Sequence, residues 1–258
     1  MISNSIIPGI KVLSDYDINN RVFLSSGTYW EVYDFSINEN KSQSRFQGYI
    51  PKGDWRNCNQ IETQHLFSKS KSLNHSQYIR ISKIPYELFN NKEILRLNDK
   101  ERFSIQLREL FVQEITFKIE QYFYKKFLKK SPAYSLGLRF IDNINLPTIT
   151  FDENSNLFIG LHIDCWDNAN SYQDEKYLRN RVCINLGQSP RCFLFINLTL
   201  KQLMQCLKYI DKIEELKNAI AQNFCKFFPN YPVVKIVLLP GEYYVAPTES
   251  IIHDATIP

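Results

Sequence analysis

The chain has 258 residues, with 31 basic and 27 acidic side chains and a net charge of +4, an excess too small to require nucleic acid or another polyanion as partner. Hydrophobic residues make up 44% and aromatic residues 14%, enough to bury a full core and to wall an apolar pocket. No apolar run of about 18 residues and no N-terminal leader pattern occurs, so the expectation is one cytoplasmic domain over residues 1–258 with no membrane span.

Residues 1–60 alternate turn residues with short aromatic strands, the clearest being Thr28-Tyr29-Trp30-Glu31-Val32-Tyr33-Asp34-Phe35. The polar run from Ser68 to His75 reads as a mobile loop that leaves His75 solvated, and His65 has no assigned role. Asp99 to Lys130 is the clearest helix, because Leu107, Phe111, Ile115, Ile119 and Phe123 recur at every fourth position, and Pro132 closes it. Its Lys125-Lys126 and Lys129-Lys130 suit the negative end of the helix dipole better than a nucleic-acid patch. These 133 N-terminal positions are read as strands plus a supporting helix, and 134–258 as the main β core.

Within that core, Phe158 to Leu161 reads as a buried strand leading into His162-Ile163-Asp164, and Arg181 and Arg191 each open an apolar strand. Thr199 caps a helix expected over about 200–228, with Gln202 at the capping-box position and Pro229 as its stop. Strands over 232–239 and 242–246 follow, joined at Pro240-Gly241, and a short apolar strand ends in Ile251-Ile252-His253-Asp254. Six cysteines, with no Cys-x-x-Cys among them, read as small buried thiols rather than as a disulfide or zinc framework.

The sequence has four histidines, and two of them, His162 and His253, sit in apolar strand contexts. Residues i and i+2 of a strand share a face, so His162 and Asp164 project side by side while Leu161 and Ile163 point into a packed layer. A second imidazole from a distant strand, His253, completes two nitrogens and one oxygen on one side of a metal ion, leaving the other side open.

These segments resemble the iron(II)- and 2-oxoglutarate-dependent oxygenases. In that family a double-stranded β-helix, a jelly-roll or cupin-like core, carries His-x-Asp on an early strand and a distal histidine on a late one. The resemblance covers roughly residues 134–258 and implies a mainly β, α+β fold with buttressing helices. It also implies iron(II) held by His162, Asp164 and His253, 2-oxoglutarate as co-substrate, and hydroxylation or desaturation of an amino acid, peptide or small natural product. An intact carboxylate at 164 points away from the halogenases of the family, which vacate that position for chloride.

The chain departs from the family at one place: many members carry a basic residue beyond the distal histidine to hold the far carboxylate of 2-oxoglutarate, and none lies between His253 and Pro258. A core arginine is the natural substitute, because a planar guanidinium offers a carboxylate two parallel donors. Arg191 is the leading candidate, with Arg181 and Arg139 as competitors. Trp166, Asp167, Tyr244 and Glu249 are the candidate substrate contacts. Two other classes remain open at this point, a non-catalytic cupin-like or β-sandwich binding module and a zinc hydrolase with the same ligands.

Overall fold

A computed structural model of the chain describes residues 5–37, 42–69, 75–88, 105–127, 136, 147–153, 155–164, 180–207 and 217–257. In chain order the strands are β1 (Lys11–Ser14), β2 (Val22–Leu24), β3 (Thr28–Ile37), β4 (Ser42–Pro51), β5 (Arg56–Asn57), β6 (Tyr78–Lys83), β7 (Thr150–Asp152), β8 (Leu157–Ile159), β9 (Arg181–Ile184), β10 (Arg191–Phe195), β11 (Val234–Leu238), β12 (Glu242–Ala246) and β13 (His253–Thr256). The helices are α1 (Gln60–Leu66), α2 (Ile105–Phe127), α3 (Leu200–Leu207) and α4 (Lys217–Phe227). The protein is mainly β, with several sheets and few helices.

Three sheets form, in the orders β1-β6-β12-β9, β13-β10-β11-β2-β5 and β3-β4-β8-β7. The period-two alternation of their strands explains how the first two pack. Ile79 and Ile81 of β6 with Tyr244 and Ala246 of β12 meet Phe193 and Phe195 of β10 and Val234, Ile236 and Leu238 of β11 in one buried cluster. Each large side chain removed from water there contributes roughly 1.5–3 kcal/mol. The alternate residues face outward and are covered by helices: Ile184, Tyr243 and Val245 by Ile115, Ile119 and Phe123 of α2, and Leu194 by Leu203 and Met204 of α3 and Phe224 of α4. The result is a helix–sheet–sheet–helix stack with the main core between the sheets.

The third sheet has its own aromatic core of Tyr33, Phe35, Phe46, Phe151 and Phe158. Its β8 runs parallel to β4 and leads directly into His162. The two backbones approach so closely that a Cβ on Gly160 would stand 2.1 Å from the Tyr49 carbonyl oxygen, and one on Gly48 2.3 Å from the Gly160 nitrogen. Only glycine permits that crossing.

The capping box at Thr199 forms as expected: the Gln202 amide N–H donates to Thr199 Oγ1 (3.2 Å) and the Thr199 N–H to Gln202 Oε1 (2.9 Å). The helix read over 200–228 is described as two helices, α3 and α4, with 208–216 outside the described residues. Beyond them too lie 99–104 and 128–130 at the ends of the long helix and 70–74 of the polar loop.

Pro240-Gly241 does make a tight turn, closed by the Glu242 N–H donating to Leu239 O, with Gly241 at φ 78°. It does not make a hairpin, because β11 pairs in the second sheet and β12 in the first. The turn is a corner between layers. N-terminal strands lengthen both sheets beside these two, β6 next to β12 and β2 next to β11, while β9 has no second strand partner among the described residues. Among the described residues no helix is long and apolar enough to cross a membrane.

Glu242 pins the corner. Its buried carboxylate accepts from Arg21 Nη1 (2.7 Å) and Nη2 (3.1 Å) and from the Leu239 N–H (2.8 Å). Removing one partner of such a pair leaves a buried charge uncompensated. Arg21→Met is therefore expected to lower the unfolding free energy by about 3 kcal/mol, measured by urea denaturation.

Candidate metal centre

The site begins with a backbone pairing. The His162 N–H donates to His253 O (3.1 Å) and the His253 N–H to His162 O (2.8 Å), an isolated antiparallel bridge at the edge of the second sheet. Residues directly opposite one another point to the same face, so the bridge sets both imidazoles side by side with ring centroids 4.7 Å apart. His253 also lies opposite Phe195, an inward residue of β10, which puts both rings on the face between the sheets. Leu161, Ile163 and Ile252 take the other face, in the cluster under α3 and α4.

Asp164, two residues on from His162, is held by its N–H donating to Thr248 O (3.1 Å). Its carboxylate stands between the rings, Oδ1 3.5 Å from His162 Nε2 and Oδ2 3.7 Å from His253 Nε2. All three side chains are buried, and one donor atom from each lies within 4.8 Å of the others. Each histidine bonds a backbone carbonyl two residues before it through Nδ1, His162 to Gly160 O (3.0 Å) and His253 to Ile251 O (3.2 Å). A carbonyl oxygen only accepts, so Nδ1 carries a proton in each ring and Nε2 is the nitrogen that the neutral imidazole offers a metal ion.

The electrostatics agree with that donor set. Burial pushes His253 down to about 3, so its ring is neutral. Burial works against the charged form of Asp164 too, but His162, His253 and Arg181 hold it well below the usual carboxylate range. His162 is drawn the other way: burial lowers it, and Asp164 and Asp254 more than offset that. One neutral imidazole, one ionised carboxylate and a second imidazole beside two acids form a chemically apt set for a divalent ion.

Behind the ligands, Asp254 Oδ2 lies 3.8 Å from His162 Nδ1, and Asp254 Oδ1 accepts from Thr150 Oγ1 (2.9 Å) and from the Ala255 N–H (2.6 Å). Burial raises this carboxyl to about 6.

Arg191 opens β10, facing the same side as Phe193 and Phe195, and its Nε is buried with no hydrogen-bond partner among the described residues. Burial works against its charge, and Cys183, Tyr244 and Asp254 more than offset that. Arg181 lies elsewhere in the site, with Nη2 2.9 Å from Asp164 Oδ2. Tyr244 is buried and stacked on Phe193, with centroids 4.1 Å apart. Glu249, read as a polar contact, is buried in the turn before His253. Arg139, Trp166 and Asp167 lie outside the described residues.

The sequence reading missed Cys183, although it stands two residues from Arg181 and so shares its face. It also left Thr150 without a role, and no local pattern marks a threonine whose acid partner is 104 residues away. Comparison with protein-family models, with curated proteins and with solved structures found no match to the chain.

A folded-state value for His253 below its ordinary 6.5 means that the unfolded chain holds the proton in between. Stability contributed by neutral His253 is therefore lost as pH falls from 6.5 toward about 3, at up to roughly 1.4 kcal/mol per pH unit. In metal-free protein, His253→Phe is expected to unfold with a shallower acid slope than the parent, read from urea midpoints between pH 4 and 6.5 in about half-unit steps.

Proposed function

We propose that the protein is an iron(II)- and 2-oxoglutarate-dependent oxygenase that hydroxylates or desaturates an amino acid, peptide or small natural product. The observation that carries this is the buried convergence of His162 Nε2, His253 Nε2 and the Asp164 carboxylate. Two imidazoles and one carboxylate on one side of an ion leave the opposite positions open.

Two further features support the reading. From His162 onward the chain visits the edge of the second sheet, then β9 in the first, β10 and β11 in the second, β12 in the first and β13 in the second. Those crossings between the two sheets suit a jelly roll, and with it a double-stranded β-helix over 134–258. Arg191 also projects a buried guanidinium between the sheets with an unpartnered Nε, beside Cys183 and Tyr244 and within the field of Asp254. The far carboxylate of 2-oxoglutarate matches the guanidinium in charge and geometry, and the unpartnered Nε is a donor for it. Arg191 and Phe195, the residue opposite His253, are four positions apart on one face, about 13 Å along the strand.

In this reading His162, Asp164 and His253 hold the ion, Gly160 O and Ile251 O fix the two rings, and Arg191 fixes the co-substrate by its far end. Phe193 and Tyr244 wall the site with apolar surface and exclude water. Iron(II), 2-oxoglutarate and dioxygen together supply the oxidation of an unactivated C–H bond, which side chains alone do not perform. Asp167, Trp166, Tyr244 and Glu249 are the proposed substrate contacts.

An anaerobic titration of metal-free protein with iron(II), then 2-oxoglutarate, is expected to develop the weak visible charge-transfer band of the chelate, and Arg191→Met to lose it while still binding iron. In air the parent is expected to form succinate, and Asp164→Ala none. Iron bound without a band would overturn the co-substrate assignment, and no metal bound would leave the binding module as the better reading.

A further inference from the structure

Arg181 lies against a carboxylate of its own chain. Its Nη2 stands 2.9 Å from Asp164 Oδ2, and the placement follows from the sheet register. Arg181 pairs with Ala246 and Cys183 with Tyr244 across β9 and β12, so Arg181 belongs to the inward face of the first sheet. From there it meets the histidine-bearing face of the second. At 26% exposed it is the most open of the four side chains, against 8% for Asp164, 10% for His162 and 5% for His253.

An arginine so placed has two physical effects on a metal centre, and they have opposite signs. As a bare positive charge it repels a cation and weakens its binding. As a rigid, planar cation held against one oxygen of Asp164, it restricts how the carboxylate meets the ion. Several observations favour the second effect. The closest contact is to Oδ2, which also stands 3.7 Å from His253 Nε2, while Oδ1 is the oxygen nearest His162 Nε2. Oδ2 is buried and accepts no hydrogen bond among the described residues, so the ion pair with Arg181 is its closest polar contact, nearer than His253 Nε2 at 3.7 Å. Elsewhere in the protein arginines grip buried carboxylates with hydrogen bonds from both fork nitrogens, Arg21 on Glu242 and Arg56 on Glu62, whereas Arg181 meets Asp164 Oδ2 as an ion pair without a hydrogen bond.

We infer that Arg181 is a positioning residue of the metal centre: it holds Oδ2 of Asp164 so that the carboxylate offers the ion one oxygen. The inference rests on the reading of His162, Asp164 and His253 as ligands. Its consequence is chemical, because a carboxylate that uses both oxygens takes up a further coordination position, and open positions are what a chelating co-substrate and dioxygen need.

The test uses cobalt(II), which does not turn over and whose visible ligand-field spectrum reports the number of ligands. Metal-free parent, Arg181→Met and Arg181→Lys are titrated with cobalt(II) by calorimetry and by absorption. Arg181→Met is expected to bind about tenfold more weakly and to shift or intensify the visible bands. Arg181→Lys, which keeps a donor within reach, is expected to recover most of both. If Arg181→Met does not fold, as judged by its thermal unfolding, Arg181→Gln, too short to reach Oδ2, is read in its place with the same expectation. Equal or tighter binding with an unchanged spectrum in the variant would overturn the inference and leave Arg181 as a counter-charge. If the parent itself binds no cobalt(II), the metal reading fails first, on a different sample, and takes this inference with it.

Discussion

The pair of backbone hydrogen bonds between His162 and His253 is the constraint on which the rest of the site depends. It joins the end of β8, which belongs to the third sheet, to the start of β13, which belongs to the second, and so it ties two packing units at one point. Everything upstream serves that bridge. The glycine crossing of Gly48 and Gly160 sets the path of the chain, and the Leu161 N–H donating to Tyr49 O (2.8 Å) delivers His162 in register. A slip of one residue would turn Leu161 or Ile163 inward and move the imidazole under α3 and α4, into a mainly apolar cluster.

What was legible in the sequence follows from short-range rules. Period-two alternation correctly put His162 and Asp164 on the face opposite Leu161 and Ile163. The fourfold spacing in α2 identified Ile115, Ile119 and Phe123 as a packed stripe, and the Thr199 and Gln202 pair marked the start of α3. The turn at Pro240-Gly241 was equally local. What it joined was not, since the same Pro-Gly turn serves a hairpin or a corner, and the contact that pins this corner comes from Arg21, more than 200 residues earlier, reaching the Glu242 carboxylate. The site divides in the same way: strand context singled out the two histidines and one acid, whereas the partner of Arg181 and the Thr150 contact to Asp254 depend on sheet order, which alternation alone does not encode.

The contrast between ion pairs within the protein separates scaffold from site. Arg21 with Glu242 and Arg56 with Glu62 are closed pairs, two contacts each, with backbone donors completing the carboxylate. Such pairs are self-sufficient and fit a structural role. Among the described residues the only buried carboxylate oxygens without a hydrogen bond, Asp164 Oδ2 and Asp254 Oδ2, lie within the histidine cluster, and Arg191 Nε nearby shares that condition. Folded proteins leave few such atoms, and where several gather the fold is holding polar groups at a cost in stability.

That cost is also visible in the directions of the shifts. Burial drives His253 toward the neutral form and Asp254 toward the protonated one, while Asp164 is held ionised between the imidazoles. A core evolved only for packing would satisfy these positions more cheaply with apolar side chains of similar volume, as Phe193 and Phe195 do on the next strand. Four ionisable groups gather around one backbone bridge, and one neutral imidazole, one ionised carboxylate and a second imidazole beside two acids form a donor set able to hold a divalent ion.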